Sequence, residues 1–587
     1  MEKSGELIKK AELGFKSTNF AMDMLSSLAM NTFGLDVINS YYRNSSHLTG
    51  TAFTSDFLKS LNITYTTPHN CLENIPRSGA AIVVCNHPMG ALDGILLIDM
   101  IGKIRPDTKF LGNFLLMRLK TLSNFFLPVN PFDTQSTKNV SGIKKAVQHL
   151  SNGGLLIVFP AGEVSTYQKS IHIEDKPWGK SIMKFIQKAG VPIVPIHING
   201  KNSLLFHLTG KLHPILRTLQ LPLELINKQN KTFTISIGSP IILKIQRELA
   251  TQDKFASYIR NNVYLLKYIS ESKTPIMNTT AIEPLAERAS NDDLAAEIER
   301  LKPCAFLFAS SSFEIYFIGA NDSSILMHEI AILREQTFRQ VGEGTGKSLD
   351  TDIYDSTYHQ LIMWDSSEKK IMGGYRVALG REIIRNQGIN GFYTNSLFHI
   401  EKEMEKTMDN TIELGRSFIT EEYQKKPISL MLLWKGIMYV LIKNTQYRYL
   451  LGPVSISGEF HNISKRIIME YIKKHHFNDH LAASIKPRTG ITDIKDYAKV
   501  DEIVQSTSID HIDKLIKDIE SKNGIPILIK KYLQLGGKIL SFNIDHEFND
   551  TLDAFIHVDI TKIPKKTLEM LSKELNLDDV VDRFQND

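Results

Sequence analysis

The stretch AAIVVCNHPMGALDG at residues 80–94 decides the fold of the first half of the chain. Its first six residues are apolar and partly β-branched, which predicts a short buried strand. The strand ends at Asn86-His87-Pro88, and a helical pattern begins soon afterwards. A polar segment between a buried strand and a helix is expected at the carboxyl edge of a parallel sheet, where α/β proteins place ligand and catalytic groups.

Similar strand-like runs recur through the first half of the chain. Further strands are predicted at residues 155–159, 191–198 and 232–237, and helices at 141–150, 180–189 and 246–268. Strands and helices that alternate at this rhythm predict an α/β layer with a largely parallel sheet.

A polar segment rich in Ser, Thr, Pro and Asn divides the chain, and we predict a linker at residues 276–294 between domains 1–275 and 295–587. The second domain has no repeat of the first pattern, so we expect a different, mixed α/β fold there. Its predicted strands are 315–318, 360–364, 371–378 and 449–456, and its predicted helices are 329–339, 427–443, 463–475, 501–522 and 526–536.

The composition is that of an ordinary globular protein. The 587 residues are 42% hydrophobic and 23% charged, which excludes collagen-like, disordered and disulfide-stapled classes. A net charge of +5 over so long a chain does not indicate a nucleic-acid partner. The three cysteines, Cys71, Cys85 and Cys304, are widely spaced and form no metal pattern. We therefore expect no metal site and a reducing cytosolic environment.

No apolar run reaches the roughly 18 residues that a membrane-spanning helix needs, so any membrane contact is expected to be peripheral. Residues 110–132 are strongly apolar and aromatic. They predict either a core helix with a loop or an interfacial helix at the bilayer surface.

His87 and Asp93 are the first candidate catalytic pair. A histidine can accept a proton, and an aspartate on the next helical turn can orient its imidazole and stabilise the cation. No enzyme nucleophile is needed if the hydroxyl of the substrate itself attacks a thioester. The structural alternative is a histidine that caps the helix and an aspartate that complements the helix dipole.

Two further segments favour the catalytic alternative. They are Phe159-Pro160-Ala161-Gly162-Glu163-Val164-Ser165 and the proline-bearing strand Val191-Pro192-Ile193-Val194-Pro195. With the His-Asp box, they resemble the glycerolipid (lysophospholipid) acyltransferase family over about residues 60–245. The resemblance implies an α/β O-acyltransferase domain with His87 and Asp93 as its dyad. The substrate-binding residues that it implies are Asn86, Gly90, Phe159, Pro160, Gly162 and Glu163.

The first half departs from the common family pattern at two places. Five residues separate His87 from Asp93, where the family has four, and Ala161 stands where the family has glutamate. Both departures resemble the hemolysin-like subgroup linked to ornithine lipids. Glu163 is the candidate that replaces the missing carboxylate. Alternatively, Ala161 marks a lost function, and this half is a lipid-binding relic.

A second constellation follows in the other half. Its members are Arg334, Phe338, Asp350, Asp352, Asp355, Arg376, Glu413 and Arg416. Three acids so close together repel one another and need cations or backbone donors, and the three arginines are the candidate cations. The alternative is a surface acidic turn with unrelated arginines.

The order of these residues resembles the acyl-homoserine-lactone synthase group of GNAT-type acyltransferases. The sequence motifs at residues 433–437 and 452–457 are similar to those of ornithine lipid synthase N-acyltransferases. This resemblance covers about residues 295–560. The resemblance implies a GNAT-like mixed α/β domain that moves an acyl group from acyl carrier protein, or from CoA, to the amine of an amino acid. It also implies that backbone donors of a splayed strand stabilise the oxyanion.

Amide formation needs a neutral amine, so a carboxylate must receive the proton of the ammonium group directly or through water. Glu413 is our candidate for that catalytic role. Arg376 or Arg416 would hold Glu413 or grip the carboxylate of the amino acid, which bidentate arginine suits well. Arg334, Phe338 and the three aspartates complete the predicted substrate-binding set.

Together, the two halves resemble bifunctional ornithine lipid synthases. The resemblance implies N-acylation of an amino acid, ornithine being the one implied, and then O-acylation of the 3-hydroxyl of the lyso-aminolipid. The implied partners are acyl carrier protein and the inner face of the cytoplasmic membrane, with the protein cytoplasmic and peripheral and without a cofactor. Two alternatives stay open: an N-acyl amino acid synthase with a degenerate first domain, and a non-catalytic membrane-surface lipid-binding scaffold.

Overall fold

The computed structural model describes residues 35–68, 71–113, 120–129, 137–167, 173–212, 214–249, 251–270, 282–491, 500–504, 508–520, 523–546 and 548–567. Contacts between residues divide the chain into two compact units. The first unit is Met1–Ser272 with Ser506–Lys522, and the second is Lys273–Gln505 with Asn523–Asp587.

The described part of the first unit contains a seven-stranded sheet and a two-stranded ribbon. The strands are β1 (Thr64–Thr66), β2 (Ala81–Cys85), β3 (Lys109–Asn113), β4 (Phe126–Val129), β5 (Leu155–Val158), β6 (Thr166–Tyr167), β7 (Ile173–Glu174), β8 (Ile193–Asn199) and β9 (Thr232–Ile237). The large sheet has the order β1-β9-β8-β2-β5-β3-β4, and every neighbouring pair is parallel except β8 with β9. The predicted α/β class with a largely parallel sheet is confirmed.

Helices cover both faces of this sheet. They are Leu35–Ser45, Gly50–Ser60, Ala91–Ile104, Thr137–Ser151, Lys180–Ala189, Leu204–Leu212, Pro214–Ile226, Leu243–Glu248, Gln252–Leu265 and Ile509–Ile519, with 3₁₀ turns at Cys71–Asn74, Ser123–Phe125 and Leu266–Ser270. Side chains alternate along β2, so Val83 packs in one core and Ile82 and Val84 pack in the other. This two-sided burial explains why β2 is an uninterrupted apolar run.

Residues 110–132 do not form the expected helix where the structure describes them. Phe110 and Phe126 are partners in the parallel pair β3 and β4. Both rings are buried in the same core as Val83, so the apolar character of the segment reflects the burial of strands. Residues 114–119 and 130–132 lie outside the described residues.

The predicted domain boundaries at 275/276 and 294/295 stay a prediction, and residues 271–281 lie outside the described residues. The first compact unit also includes a segment from the predicted second domain, Ser506–Lys522. The helix Ile509–Ile519 belongs to the first unit, where the Ser239 hydroxyl donates to Asp518 at 2.5 Å and His511 contacts Glu248 at 2.9 Å. Contacts so distant along the chain leave no local signal in the sequence.

The described part of the second unit is built on an eight-stranded sheet of order β10-β11-β12-β13-β15-β16-β19-β18. Only β15 and β16 are parallel neighbours in it. The strands are β10 (Phe306–Ser310), β11 (Phe313–Ile318), β12 (His359–Asp365), β13 (Lys370–Leu379), β14 (Phe398–Ile400), β15 (Thr411–Ile419), β16 (Tyr449–Ile456), β17 (Ile485–Pro487), β18 (Lys538–Asp545) and β19 (Thr551–Asp559). Strands β14 and β17 form a separate pair.

Helices also pack on both faces of the second sheet. They are Asn291–Ala305, Ser324–Arg339, Gly380–Gln387, Thr394–Leu397, Glu405–Asp409, Glu421–Gln424, Pro427–Lys443, Asn462–His475, Asp479–Ala482, Val500–Val504 and Ile527–Gln534, with 3₁₀ turns at Ile353–Ser356, Gly388–Gly391, Lys402–Met404 and Ile560–Lys562. The first two helices share a core with Ile362. Gly436 approaches the neighbouring Leu361, so the helix Pro427–Lys443 lies on the opposite face. The mixed α/β prediction for this half is confirmed.

The parallel strands β15 and β16 separate part-way along their length. Their pairing ends at Glu413 with Leu451, although β15 runs on to Ile419 and β16 to Ile456. The ladder between β13 and β15 is also irregular beside this point, and Arg416 has φ +46°. A side chain in left-handed backbone conformation at a bulge is strained and is re-aimed from the sheet face. The divergence opens the space in which the second candidate site lies.

Candidate functional site

His87 and Asp93 lie together at the carboxyl end of β2. The Nδ1 atom of His87 is 2.8 Å from Oδ2 of Asp93, and the same oxygen accepts from the backbone N–H groups of Met89 and Gly90 at 2.9 Å. Asp93 therefore complements the helix start and also orients His87, so the catalytic and the structural interpretations of the pair are compatible. With Nδ1 donating to the carboxylate, the lone pair of the half-buried imidazole lies on Nε2.

The segment that follows β5 lies beside His87. The Phe159 ring stacks on the imidazole with centroids 4.3 Å apart, and the Ser165 backbone N–H donates to the carbonyl oxygen of His87 at 2.8 Å. Pro160 and Gly162 belong to a tight turn in which the Gly162 N–H donates to the carbonyl of Phe159. The structure thus brings this predicted block to the dyad.

The remaining predicted residues of the first site have different surroundings. Asn86 pairs both ends of its amide with the backbone of Ile198, at 2.8 and 3.0 Å, and so ties β2 to β8. Gly90 has φ +85° and caps the helix. Glu163 forms an ion pair with Lys176 at 2.6 Å. Their roles in substrate binding stay predictions.

Asp175 is a residue of this site that the sequence analysis missed. It is fully buried, and its carboxylate accepts from the His87 backbone N–H at 3.2 Å, the Ser165 hydroxyl at 2.5 Å and the Trp178 indole at 3.1 Å. Burial raises the pKa of Asp175. Asp175 thus links the His87 backbone to the side chains of Ser165 and Trp178, and no local pattern around it signals this role.

Arg334 anchors the acidic turn of the second site. Its guanidinium donates to both oxygens of Asp355 at 2.8 and 2.9 Å, and its Nε lies 3.2 Å from Asp350. Arg334 and Asp350 are each only 1% exposed. The guanidinium holds the pKa of Asp355 at about 2, against the effect of burial.

Arg376 and Arg416 complete the cluster that the sequence predicted. Arg376 contacts Asp352 at 2.5 Å and Asp355 at 3.3 Å. Arg416 lies 3.2 Å from Asp350 and 3.5 Å from Asp352, so its shortest ion pair is longer than the shortest ones of Arg334 and Arg376, at 2.8 and 2.5 Å. The surface-turn alternative is wrong for these residues, because each aspartate has an arginine partner and two of the three arginines are buried.

Tyrosine rings surround the Arg376 guanidinium. Its central carbon lies 5.7, 5.4 and 5.2 Å from the ring centroids of Tyr354, Tyr358 and Tyr393, distances typical of cation–π contacts. Arg416 also faces the Tyr393 ring, at 5.2 Å. These tyrosines were not among the predicted residues, and their positions around the acidic turn gave no periodic signal.

Glu413 is buried and fully hydrogen-bonded. Thr394 donates to one oxygen from its backbone N–H at 2.7 Å and from its hydroxyl, while the Tyr358 hydroxyl and the Tyr393 N–H donate to the other. Burial raises the pKa of Glu413 against the effect of these bonds. These four donors occupy the about four acceptor positions of a carboxylate. Direct proton acceptance by Glu413 therefore requires one donor to move.

A cavity of about 250 Å³ lies between the separated ends of β15 and β16. Its lining includes Phe338, Glu343, Tyr393, Arg416, Phe548 and Asp553. Of the predicted residues, Phe338 and Arg416 reach this cavity. The space adjoins the point where parallel pairing stops, so backbone groups of β15 and β16 there do not pair with each other.

Three carboxylates that line this cavity, those of Glu343, Asp545 and Asp553, were missed by the sequence analysis. Burial and the neighbouring negative charges raise the pKa of Asp553 to about 8, and burial raises that of Glu343 to about 7 while Arg416 opposes the rise. Asp553 is an acid within the largely apolar strand β19, and Glu343 stands between two glycines. Both are unusual positions for an acidic residue, and this was the signal in the sequence that could have identified them as site residues.

The described residues contain no group of three or more His, Cys, Asp or Glu side chains arranged to hold a metal ion. Within the same ranges, no helix is both long and apolar enough to cross a membrane.

Comparisons with known proteins identify both halves. Residues 11–272 match the family model described as Acyltransferase, and residues 333–435 match the Acetyltransferase (GNAT) domain model. A glycine N(alpha)-acyltransferase of Phocaeicola vulgatus is 30% identical over 48% of this chain and 90% of its own length. A lyso-glycine lipid O-acyltransferase of Bacteroides thetaiotaomicron is 32% identical over 33% of this chain and 73% of its own length.

A solved structure, the 1-acyl-sn-glycerophosphate (LPA) acyltransferase PlsC from Thermotoga maritima, is 17% identical over 43% of this chain and 90% of its own, with a TM-score of 0.27. The matches to the curated bacterial enzymes cover most of each relative at 30% identity or above. This chain therefore belongs to the same family as these N- and O-acyltransferases, and it is an acyltransferase that joins an Acyltransferase domain and a GNAT domain in one polypeptide.

Proposed function

We propose that the chain makes a two-chain aminolipid by two acyl transfers in series. The observation that carries the proposal is that one polypeptide matches most of an N-acyltransferase and most of an O-acyltransferase whose names share an amino acid. The product of the first transfer would be the substrate of the second. A shared chain raises the effective concentration of the second site for that intermediate.

The second unit would carry out the N-acylation. An acyl thioester would enter the cavity between β15 and β16, where backbone donors of the separated strands stabilise the oxyanion as the amine attacks. Arg416 is suited to hold the carboxylate of the amino acid, because it lines the cavity and has no ion pair shorter than 3.2 Å. Arg334 and Arg376 would keep the acidic turn in place, and Glu413 would fix Tyr393 and Thr394.

The first unit would esterify the 3-hydroxyl of the lyso-lipid. His87 Nε2 would take the proton of that hydroxyl as it attacks a second acyl thioester, and Asp93 would stabilise the imidazolium that forms. The thiolate leaves and regains a proton from the histidine. The stacked Phe159 would limit the rotation of the imidazole.

The substrates and location are part of the proposal. The donor is acyl carrier protein carrying a 3-hydroxyacyl chain for the first transfer. Ornithine follows from the family resemblance, whereas the names of the relatives favour glycine. Since the lyso-lipid carries one long chain, the enzyme would work at the inner surface of the cytoplasmic membrane as a peripheral protein.

Lipid mass spectrometry after expression of the full chain in a bacterium without aminolipids tests the proposal. Wild-type protein should yield a two-chain lipid of ornithine or glycine, and His87→Ala should leave the lyso-lipid as the end product. His47→Ala, which changes an exposed histidine of the same unit, is the matched control. Lyso-lipid alone from the wild type would support a degenerate first domain, and neither lipid from soluble, folded protein would support the scaffold.

A further inference from the structure

The cavity between β15 and β16 is lined by three carboxylates to which the steps above give no role, those of Glu343, Asp545 and Asp553. The negative charge of Asp545, on β18, contributes to the raised pKa of Asp553. Glu343 and Asp553 line the cavity together with Arg416. They come from separate parts of the second unit, the turn after the helix Ser324–Arg339 and the strand β19. Their meeting in one cavity is therefore a product of the fold.

Asp553 presents an unused oxygen to the cavity. The residue is 4% exposed, and its Oδ1 accepts from the Ser455 hydroxyl at 2.8 Å across the β16–β19 pair. Among the described residues, the other oxygen has no hydrogen-bond or ion-pair partner. A buried carboxylate oxygen without a donor is costly to the fold, so a donor supplied by a ligand would be bound strongly.

Glu343 faces the same space. Its backbone is fixed by the N–H, which donates to the carbonyl of Phe338 at 2.9 Å. Its carboxylate has no hydrogen-bond or ion-pair partner within the part of the chain that the structure describes, and the Arg416 guanidinium acts on it electrostatically. Two such carboxylates repel one another when both are ionised, which favours the arrival of a cation between them.

The opposite charges in the cavity suit a zwitterion. Arg416 offers a guanidinium for a carboxylate, and Glu343 with Asp553 offers acceptors for an ammonium group. An α-amino acid has both groups two bonds apart. We propose that Asp553 and Glu343 bind the ammonium group of the amino-acid acceptor, and that Asp553 removes its proton before amide formation.

This inference rests on the proposed N-acylation and gives it a proton path. Asp553 takes one proton from the ammonium group, and the neutral amine attacks the thioester carbonyl. The C–N bond forms, the C–S bond breaks, and the thiolate receives the second proton lost by the nitrogen. Asp553 then releases its proton to solvent. Carboxyls with a pKa near 7 to 8 are matched to such a transfer at neutral pH.

The test is the rate of amide formation by the full-length chain from acyl carrier protein thioester, measured from pH 6 to 9.5 with glycine and with ornithine. Asp553→Asn should lower kcat at pH 7 about 10²- to 10⁴-fold, the range typical of a lost general base. The residual rate should rise about tenfold per pH unit, because only the neutral amine reacts. Glu343→Gln should mainly raise the KM for the amine.

The matched control is Asp559→Asn, a change on the same strand to an aspartate that pairs with Arg448 and lies outside the cavity lining. Its pH profile should equal that of the wild type. Folding of each variant is checked by thermal unfolding. If Asp553→Asn does not fold, Ser455→Ala takes its place, and loss of the hydrogen bond to Asp553 should move the rise in rate to higher pH.

Folded Asp553→Asn with a wild-type rate and pH profile would overturn the inference, as would an unmoved profile for Ser455→Ala. A wild-type chain that forms no amide with either amino acid would instead refute the proposed N-acylation, and the inference would fall with it. Failure of the inference and failure of the proposed N-acylation are distinguishable, because only the latter abolishes amide formation by the wild-type chain.

Discussion

At the scale of single residues, the contacts of Glu413 favour a role in positioning other side chains over direct proton transfer. Its carboxylate accepts from Tyr358, Tyr393 and Thr394, and so holds the tyrosine that faces Arg416. We expect Glu413→Gln to lower kcat for N-acylation while leaving the shape of the pH profile unchanged. A profile that loses its acidic limb would show that Glu413 itself receives the proton of the amine.

Asp553 should also be visible in the stability of the protein. The unfolded chain releases this proton near the ordinary aspartate pKa, but the folded chain holds it up to about pH 8. The folded state therefore binds more protons between these values, and the free energy of unfolding falls by at most about 1.4 kcal/mol per pH unit there.

Asp553→Asn removes that dependence. We expect the melting temperature of the variant, relative to that of the wild type, to increase from pH 5 to pH 9 in calorimetry. A difference that stays constant with pH would contradict the raised pKa of Asp553.

The acidic turn was predictable because closely spaced negative charges must be compensated by positive ones. Three aspartates within six residues need cations, and the sequence offered Arg334, Arg376 and Arg416. Glu343 and Asp553 were not predictable in the same way. Each becomes a site residue only when β15 and β16 separate and β19 pairs with β16, which no local spacing reveals.

At the scale of elements, the close contact of β15 and β16 at Gly452 is a testable feature. A Cβ atom there would lie 2.1 Å from the carbonyl oxygen of Leu414, which belongs to the backbone and cannot rotate away. Gly452→Ala must therefore push the two strands apart at the start of the cavity. We expect a loss of about 1–3 kcal/mol in the free energy of unfolding, together with slower N-acylation.

Gly415→Ala is the matched control for this change. A Cβ atom at Gly415 on β15 would meet no atom within 4 Å. Chemical denaturation with both variants measures the difference. Equal stability for the two would show that the strands do not approach closely at Gly452.

The sequence predicted strands correctly where the side chains of one strand pack into cores on both faces of the sheet. β2 and β5 are buried on both faces, so their apolar runs are continuous and short. The same criterion failed at residues 110–132. There, the described residues contain two short strands, β3 and β4, in place of the expected helix. The pairing of Phe110 with Phe126 is a tertiary fact that periodicity does not contain.

At the scale of the whole molecule, a late segment of the chain completes the first unit. Ile516 lies on the helix Ile509–Ile519 and is fully buried. We expect Ile516→Ala to cost about 2–5 kcal/mol of unfolding free energy, as other buried large-to-small changes do. The O-acylation should weaken, while the lyso-product continues to form.

Lys517→Ala is the control, since this neighbouring side chain is half exposed. Lipid analysis of cells that express each variant measures the ratio of lyso-lipid to two-chain lipid. An unchanged ratio for a destabilised Ile516→Ala protein would contradict the assignment of this helix to the O-acylating unit.

The most direct test of two acyl transfers on one polypeptide is a time course with the purified full-length chain, acyl carrier protein thioesters and an isotope-labelled amino acid, followed by mass spectrometry. We expect labelled lyso-lipid to appear first and to decline as labelled two-chain lipid accumulates, with the second step absent in His87→Ala. A two-chain product that His87→Ala forms at the wild-type rate, or lyso-lipid that never converts in the wild type, would contradict the account.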